Sequence, residues 1–200
     1  MNTLMKFIAK MLTLFVYPKS KRKIKKFTLE KQSKAKFYGR NVIKNAKLIG
    51  KNFSCNGFSY CNSKTELGDY VNFNGMRIAG NGPCKIGNYF HSGIECLILT
   101  QNHNYNNGTM IPYDRTYIFK NVEIGDFVWL GSRVTLLLGT KIGEGAIIQA
   151  GSVVHGEIPP YAIAGGNPAK VFMNRDVEHF KKLKSEGKFL DLAVWGETLD

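Results

Sequence analysis

From Ile118 to Val154 an aliphatic residue returns at every sixth position: Ile118, Ile124, Leu130, Leu136, Ile142, Ile148 and Val154. An α-helix repeats near 3.6 residues and a β-strand near 2, so a period of six fits neither. It fits a parallel β-helix, in which each hexapeptide supplies one short strand and one turn. Three such strands close a triangular coil, and stacked coils bury the aliphatic column. Gly follows in Ile124-Gly125, Leu130-Gly131 and Ile142-Gly143, where a turn gains freedom at φ values closed to other residues. A small or β-branched residue stands four places after several aliphatics, as at Val128, Val134, Ala146 and Ser152. A β-sandwich or jelly roll would alternate and turn in hairpins without a fixed period. The expected class is therefore an all-β solenoid.

Upstream the beat is present but broken. Val42, Leu48 with Gly50, Leu67-Gly68 and Ile86-Gly87 read as repeat starts. Residues 42–165 would then make about seven coils, on the order of 30 Å tall at ~4.8 Å per strand. Between Ile98 and Ile118 the pattern lapses into Gln101-Asn102-His103-Asn104-Tyr105-Asn106-Asn107-Gly108. That run is too polar for a coil and reads as an excursion loop over 101–117, and such loops on rigid scaffolds carry function. The expected domains are an N-terminal helix and basic arm over 1–41, the solenoid over 42–172, and a C-terminal helix and tail over 173–200. In the last segment, Val177, Phe180, Leu183 and Lys184 suggest a helix that covers the final coil, whose open edge needs a cap.

The formal charge of +13 is unevenly distributed. Residues 1–51 carry fifteen Lys or Arg against a single acid, Glu30, while residues 52–200 carry thirteen against fourteen acids. Leu4, Ile8, Met11, Leu12 and Phe15 share one helical face, and a basic cluster follows from Lys19. The apolar run Met11–Tyr17 is far shorter than the ~20 residues of a spanning helix. Residues 1–26 therefore read either as a peripheral anchor on an anionic membrane or as a helix packed on the chain's own solenoid or a neighbouring copy. Cys55, Cys61, Cys84 and Cys96 form no CxxC pair and no metal-finger spacing. With no export signal evident, they read as reduced, packed thiols in a cytoplasmic protein.

The loop histidine, the run Ile124-Gly125-Asp126-Phe127-Val128-Trp129-Leu130-Gly131-Ser132, then Ile158-Pro159-Pro160 and Gly165-Gly166-Asn167-Pro168-Ala169-Lys170 resemble the hexapeptide-repeat acetyltransferases. The branch most resembled holds galactoside, maltose and polysaccharide O-acetyltransferases, and the likeness covers about residues 65–175. The resemblance implies a left-handed β-helix, acetyl-CoA as co-substrate, a homotrimer with active sites between subunits, and His103 as catalytic base. The chemistry agrees: an imidazole, with pKa near about 6.5, can take a sugar hydroxyl's proton and return it to the departing thiolate. By the same resemblance Asn72, Asn74 and Trp129 would meet the acceptor. Trp129 and the backbone N–H near Ser132 would border the thioester. The pantetheine arm would follow Ala150, Gly151 and Ser152, with His155, Lys170 and Arg175 as further CoA contacts. At Met173 the chain departs from the family, which has a second basic residue there. Of the other histidines, His91 reads as a turn residue or a second wall of the cleft, and His179 as exposed on the last helix.

The expected function is acetyl transfer to a hydroxyl of a sugar or cell-surface polysaccharide. An N-acetyltransferase of an amino-sugar nucleotide and a xenobiotic (antibiotic) acetyltransferase are the alternatives, and no metal is expected in the chemistry. A zinc enzyme on the same scaffold would need three converging histidines, and only His91 and His103 are candidates. A non-enzymatic scaffold, or a nucleic-acid binder using Phe27, Phe37 and Tyr38 among the lysines, would leave the catalytic pattern unexplained.

Overall fold

A computed structural model of the chain describes residues 33–190. The expectations for an amphipathic N-terminal helix and for the final tail concern residues outside that range. Within it, the chain winds as a parallel β-helix of triangular section. The first face is a six-stranded parallel sheet made of Leu48–Ile49, Thr65–Leu67, Cys84–Ile86, Val122–Ile124, Lys141–Ile142 and Glu157–Ile158. The second face stacks Ser54–Gly57, the start of Asn72–Ala79, the start of His91–Leu99, Trp129–Leu130, Ile147–Ile148 and Ala162–Gly166. The third stacks the ends of the two long strands with Thr135–Leu136 and Val153–Val154.

The six-residue beat is the inward column. On the first face Ile49, Leu67, Ile86, Ile124, Ile142 and Ile158 lie in register, and all are buried. Leu130 and Ile148 continue the column on the second face, Leu136 and Val154 on the third. Each such side chain contributes about 1.5–3 kcal/mol of transfer free energy when fully buried. Outward on the first face runs a ladder of alternating charge: Glu66, Lys85, Glu123, Lys141 and Glu157 are register partners in that order.

The glycine after the aliphatic has a specific cause. Asp69 Oδ1 accepts from Lys51 N, Asn88 Oδ1 from Asp69 N and Asp126 Oδ1 from Asn88 N, so at three successive junctions a carboxylate or amide bridges one coil to the next. That bridge crosses the glycine of the coil it serves. A Cβ on Gly68 would stand 2.7 Å from Asn88 Oδ1, which no side chain tolerates.

The next position, the corner between the first and second faces, is left-handed in each coil: Asn52, Tyr70, Tyr89, Phe127 and Tyr161 have φ of 54° to 63°. Tyr70, Tyr89 and Phe127 stack with centroids 4.6 and 5.1 Å apart and planes within 5°. Ring stacking offsets the cost of a bulky residue at positive φ. Gly145, φ 68°, breaks this ring column.

The expectations need four corrections. Val42 is buried in a helix, not a coil: α1 (Ser33–Tyr38) and α2 (Arg40–Asn45) close the first end, with Ser59 N donating to Tyr38 O and Cys61 N to Asn41 Oδ1. Leu48 faces out and Ile49 faces in. Ile118 belongs to an outward hairpin and stands outside the buried column. The first face therefore has six strands, where about seven coils were expected. Finally, the helix α3 (Val177–Ser185) runs back along the corner and does not cross the last coil. Its Phe180 enters the gap at Gly145, against Phe127 and Tyr161. The strand that covers the last coil's edge is Ala169–Asn174, folded back antiparallel onto Ala162–Gly166.

Candidate active site

The excursion is a hairpin. Gln101–His103 pairs antiparallel with Tyr117–Phe119, placing His103 opposite Tyr117. The hairpin leaves the corner between the third and first faces, since it follows the strand ending at Leu99 and precedes the one starting at Val122. The His103 imidazole stacks on Tyr113 at 3.6 Å between centroids and tilts toward Tyr117 at 5.0 Å. Its Nδ1 is buried without a hydrogen-bond partner among the described residues. Asp114 organises the loop: it accepts from Thr109 N at 2.9 Å and from Thr116 N at 2.8 Å and Oγ1 at 2.5 Å. Those hydrogen bonds, the Thr116 hydroxyl first, hold its carboxyl down to about 2.

Sequence reasoning passed over Tyr113 and Asp114. The signal was present, because an Asp two residues before a Thr in a polar loop is an Asx-turn pattern. The loop tip is apolar and open to solvent, with Ile111 98% and Met110 69% exposed.

A second group forms on another side of the solenoid. Asn72, His91 and Trp129 are register partners on the second face. Trp129 is half-exposed. Asn74 donates to Ser92 O at 2.9 Å and lies 3.4 Å from His91 Nε2. Burial pulls the His91 pKa below its ordinary value, which favours the neutral ring. His91 is thus a strand residue lining a cavity with Trp129. Asn72 is not displayed to a ligand: it is 1% exposed, and its amide donates to Ser54 Oγ at 2.5 Å.

The expected CoA wall is a third group, at the corner between the second and third faces. Gly151 N donates to Ser132 O at 2.8 Å, so Ser132, Ala150 and Gly151 stack from one coil to the next. A Cβ on Gly151 would meet nothing within 4 Å, so this backbone ridge is open to close approach. Ser152 differs, for its hydroxyl is buried, donating to Gln149 O and accepting from Gly166 N. His155 is exposed at the same corner from which the hairpin leaves. Lys170 is exposed on the terminal strand. Arg175 is elsewhere, half-buried beside Phe180 with its guanidinium carbon 5.4 Å from the ring. One chain therefore brings Ser132, Ala150 and Gly151 together, and Asn74, His91 and Trp129 together, but holds His103 at a different corner. No three His, Cys, Asp or Glu cluster as a metal site among the described residues.

Against known proteins, residues 121–156 match the family Bacterial transferase hexapeptide (six repeats). A chloramphenicol acetyltransferase of Klebsiella aerogenes is 49% identical over 131 residues, covering 58% of this chain and 58% of that protein. The matches span smaller shares, 27% and 41%, of two other curated acetyltransferases. Among solved structures, a maltose O-acetyltransferase from Clostridium difficile superposes with a TM-score of 0.62 at 21% identity, over 88% of this chain and 90% of that one. A hexapeptide-repeat containing acetyltransferase from Vibrio cholerae gives 0.62 at 23% identity, over 72% and 82%. At those identities the superpositions establish the shared fold. Repeat, coil and family match agree on a hexapeptide-repeat β-helix, with residues 121–156 carrying the match to the bacterial hexapeptide transferases.

Proposed function

We propose that the protein is an acetyl-CoA-dependent O-acetyltransferase, with His103 as general base and a sugar or cell-surface polysaccharide hydroxyl as acceptor. The observation that carries this reading is the hairpin, which displays one imidazole, held between Tyr113 and Tyr117, on an otherwise regular solenoid. CoA supplies the acetyl thioester. Its pantetheine arm fits the open ridge at Ala150 and Gly151, with Lys170 and His155 as exposed contacts toward its polar end. His103 removes the acceptor hydroxyl's proton as the oxygen attacks the thioester carbonyl. The tetrahedral oxyanion is met by backbone N–H near Ser132. Collapse breaks the C–S bond, and the proton passes from His103 to the leaving thiolate.

The separation of His103 from the Ser132–Gly151 ridge in a single chain favours a three-fold assembly, in which one subunit's hairpin reaches the next subunit's ridge. Asn74 and Trp129 would then contact the acceptor. The site of action is the cytoplasm. Residues 1–26 would hold the enzyme at the inner membrane face; no described helix is long and apolar enough to cross a membrane.

A second reading, transfer to an antibiotic hydroxyl, is favoured by the 49% identity to a chloramphenicol acetyltransferase. Labelled acetyl-CoA offered with oligosaccharide acceptors, amino-sugar nucleotides and chloramphenicol separates these acceptor classes. His103→Ala is expected to lower transfer by about 10²–10⁴-fold with an unchanged fold. Full transfer by that variant would refute the base assignment.

A further inference from the structure

Beside the Tyr70–Tyr89–Phe127 column, α3 and the residues after it enclose a cavity of about 390 Å³. It lies at the first-to-second corner, away from the Ser132–Gly151 ridge. Tyr89, Phe127, Trp129, Phe180 and Phe189 make its walls aromatic. Three cations line it, and no Asp or Glu does. Two of the three are already neutralised, Lys184 by Glu144 and Lys188 by Glu186. Arg175 is the third. Among the described residues no carboxylate lies within ion-pair distance of it, and its Nε is buried without a hydrogen-bond partner. A half-buried guanidinium facing an aromatic chamber is one opposite charge short of compensation.

We infer that this cavity binds a flat aromatic anion, its ring packed among Tyr89, Phe127, Trp129 and Phe189 and its single negative group paired with Arg175. Aromatic walls favour a planar apolar body, and the guanidinium's fork suits a carboxylate, sulfonate or phosphate oxygen pair. The volume is near the lower end of small-molecule pockets, which limits the ligand to about one or two fused rings with a substituent. The inference does not depend on the acyl-transfer reading.

Two dyes with the same rings test it. 8-Anilinonaphthalene-1-sulfonate carries the anion, and N-phenyl-1-naphthylamine lacks it. Titrated into the full chain, the sulfonate is expected to bind one site per chain about tenfold more tightly than the neutral dye. Arg175→Met should abolish that preference by weakening the sulfonate alone, and Arg175→Lys should restore part of it. Lys188→Met, whose charge is already paired, should change neither dye by more than about twofold. Circular dichroism of each variant checks its fold. Sulfonate binding unaffected in Arg175→Met would overturn the inference, as would equal loss of both dyes. Complete displacement of the sulfonate by CoA would overturn it too, by making the cavity part of the donor site. If Arg175→Met does not fold, Arg175→Lys carries the test: a reduced sulfonate preference is expected, and one equal to that of the unaltered chain would overturn the inference.

Discussion

Four thiols lie inside the solenoid, and their burial bears directly on mechanism. Cys55, Cys61, Cys84 and Cys96 are buried and unpaired. Desolvation is the first cause of a raised pKa at each, pushing Cys61 up to about 12 and Cys84 further. A raised pKa keeps the thiol protonated through neutral and mildly alkaline pH, and only the thiolate attacks or alkylates. Iodoacetamide at pH 8 should therefore modify fewer than one thiol per native chain and all four after denaturation. Rapid native labelling of any of them would reopen a covalent acyl-enzyme route. At this scale the sequence was only partly legible. The inward aliphatics were marked by period, and the buried cysteines by type. At Asn72, between the apolar Val71 and Phe73, nothing in Val71-Asn72-Phe73-Asn74 distinguishes an amide bonded to the next coil from one offered to a ligand. His91 was legible only as a turn residue or a second wall of the cleft, since its register partnership with Trp129 spans 38 residues of chain.

Among the elements, α3 depends on a vacancy in the corner column. Where Gly145 leaves out a ring, Phe180 enters, making edge contacts to Phe127 at 5.8 Å and Tyr161 at 5.1 Å. Asp176 caps the helix by accepting from His179 N at 2.9 Å, and Lys184 is tied to Glu144. Phe180→Ala should cost about 2 kcal/mol, below the fully buried value because the ring is half-exposed. Trypsin should then cut sooner at Lys181 and Lys182. Gly145→Ala should cost about 1–2 kcal/mol through its positive φ, and more where the new Cβ meets Phe180 at 3.1 Å. A denaturation midpoint unchanged in both variants would mean that the helix is held by something other than this ring. The helix itself was legible from Val177, Phe180 and Leu183. Its direction was not, because periodicity fixes which face is apolar and leaves open which surface receives it. The hairpin was likewise visible as a lapse in the beat, while its pairing of Gln101–His103 with Tyr117–Phe119 depends on contacts across thirteen intervening positions or more.

For the whole molecule, the parts proposed for catalysis occupy separate corners, and a hairpin tip with Ile111 98% exposed has nothing apolar to rest on among the described residues. Light scattering should accordingly give three times the 22.5 kDa of one chain. Ile111→Asp should shift that mass toward the monomer and lower transfer in parallel. A fully active monomer would show that the corners need not meet between copies.

The charge ladder on the first face has a consequence for how such a chain can change length. Glu66, Lys85, Glu123, Lys141 and Glu157 alternate strictly from coil to coil. Deleting one coil would set Glu66 directly on Glu123, and like charges facing each other across a sheet repel. Deleting two would set Glu66 on Lys141 and restore the alternation. On this face the solenoid is easiest to lengthen or shorten by pairs of coils.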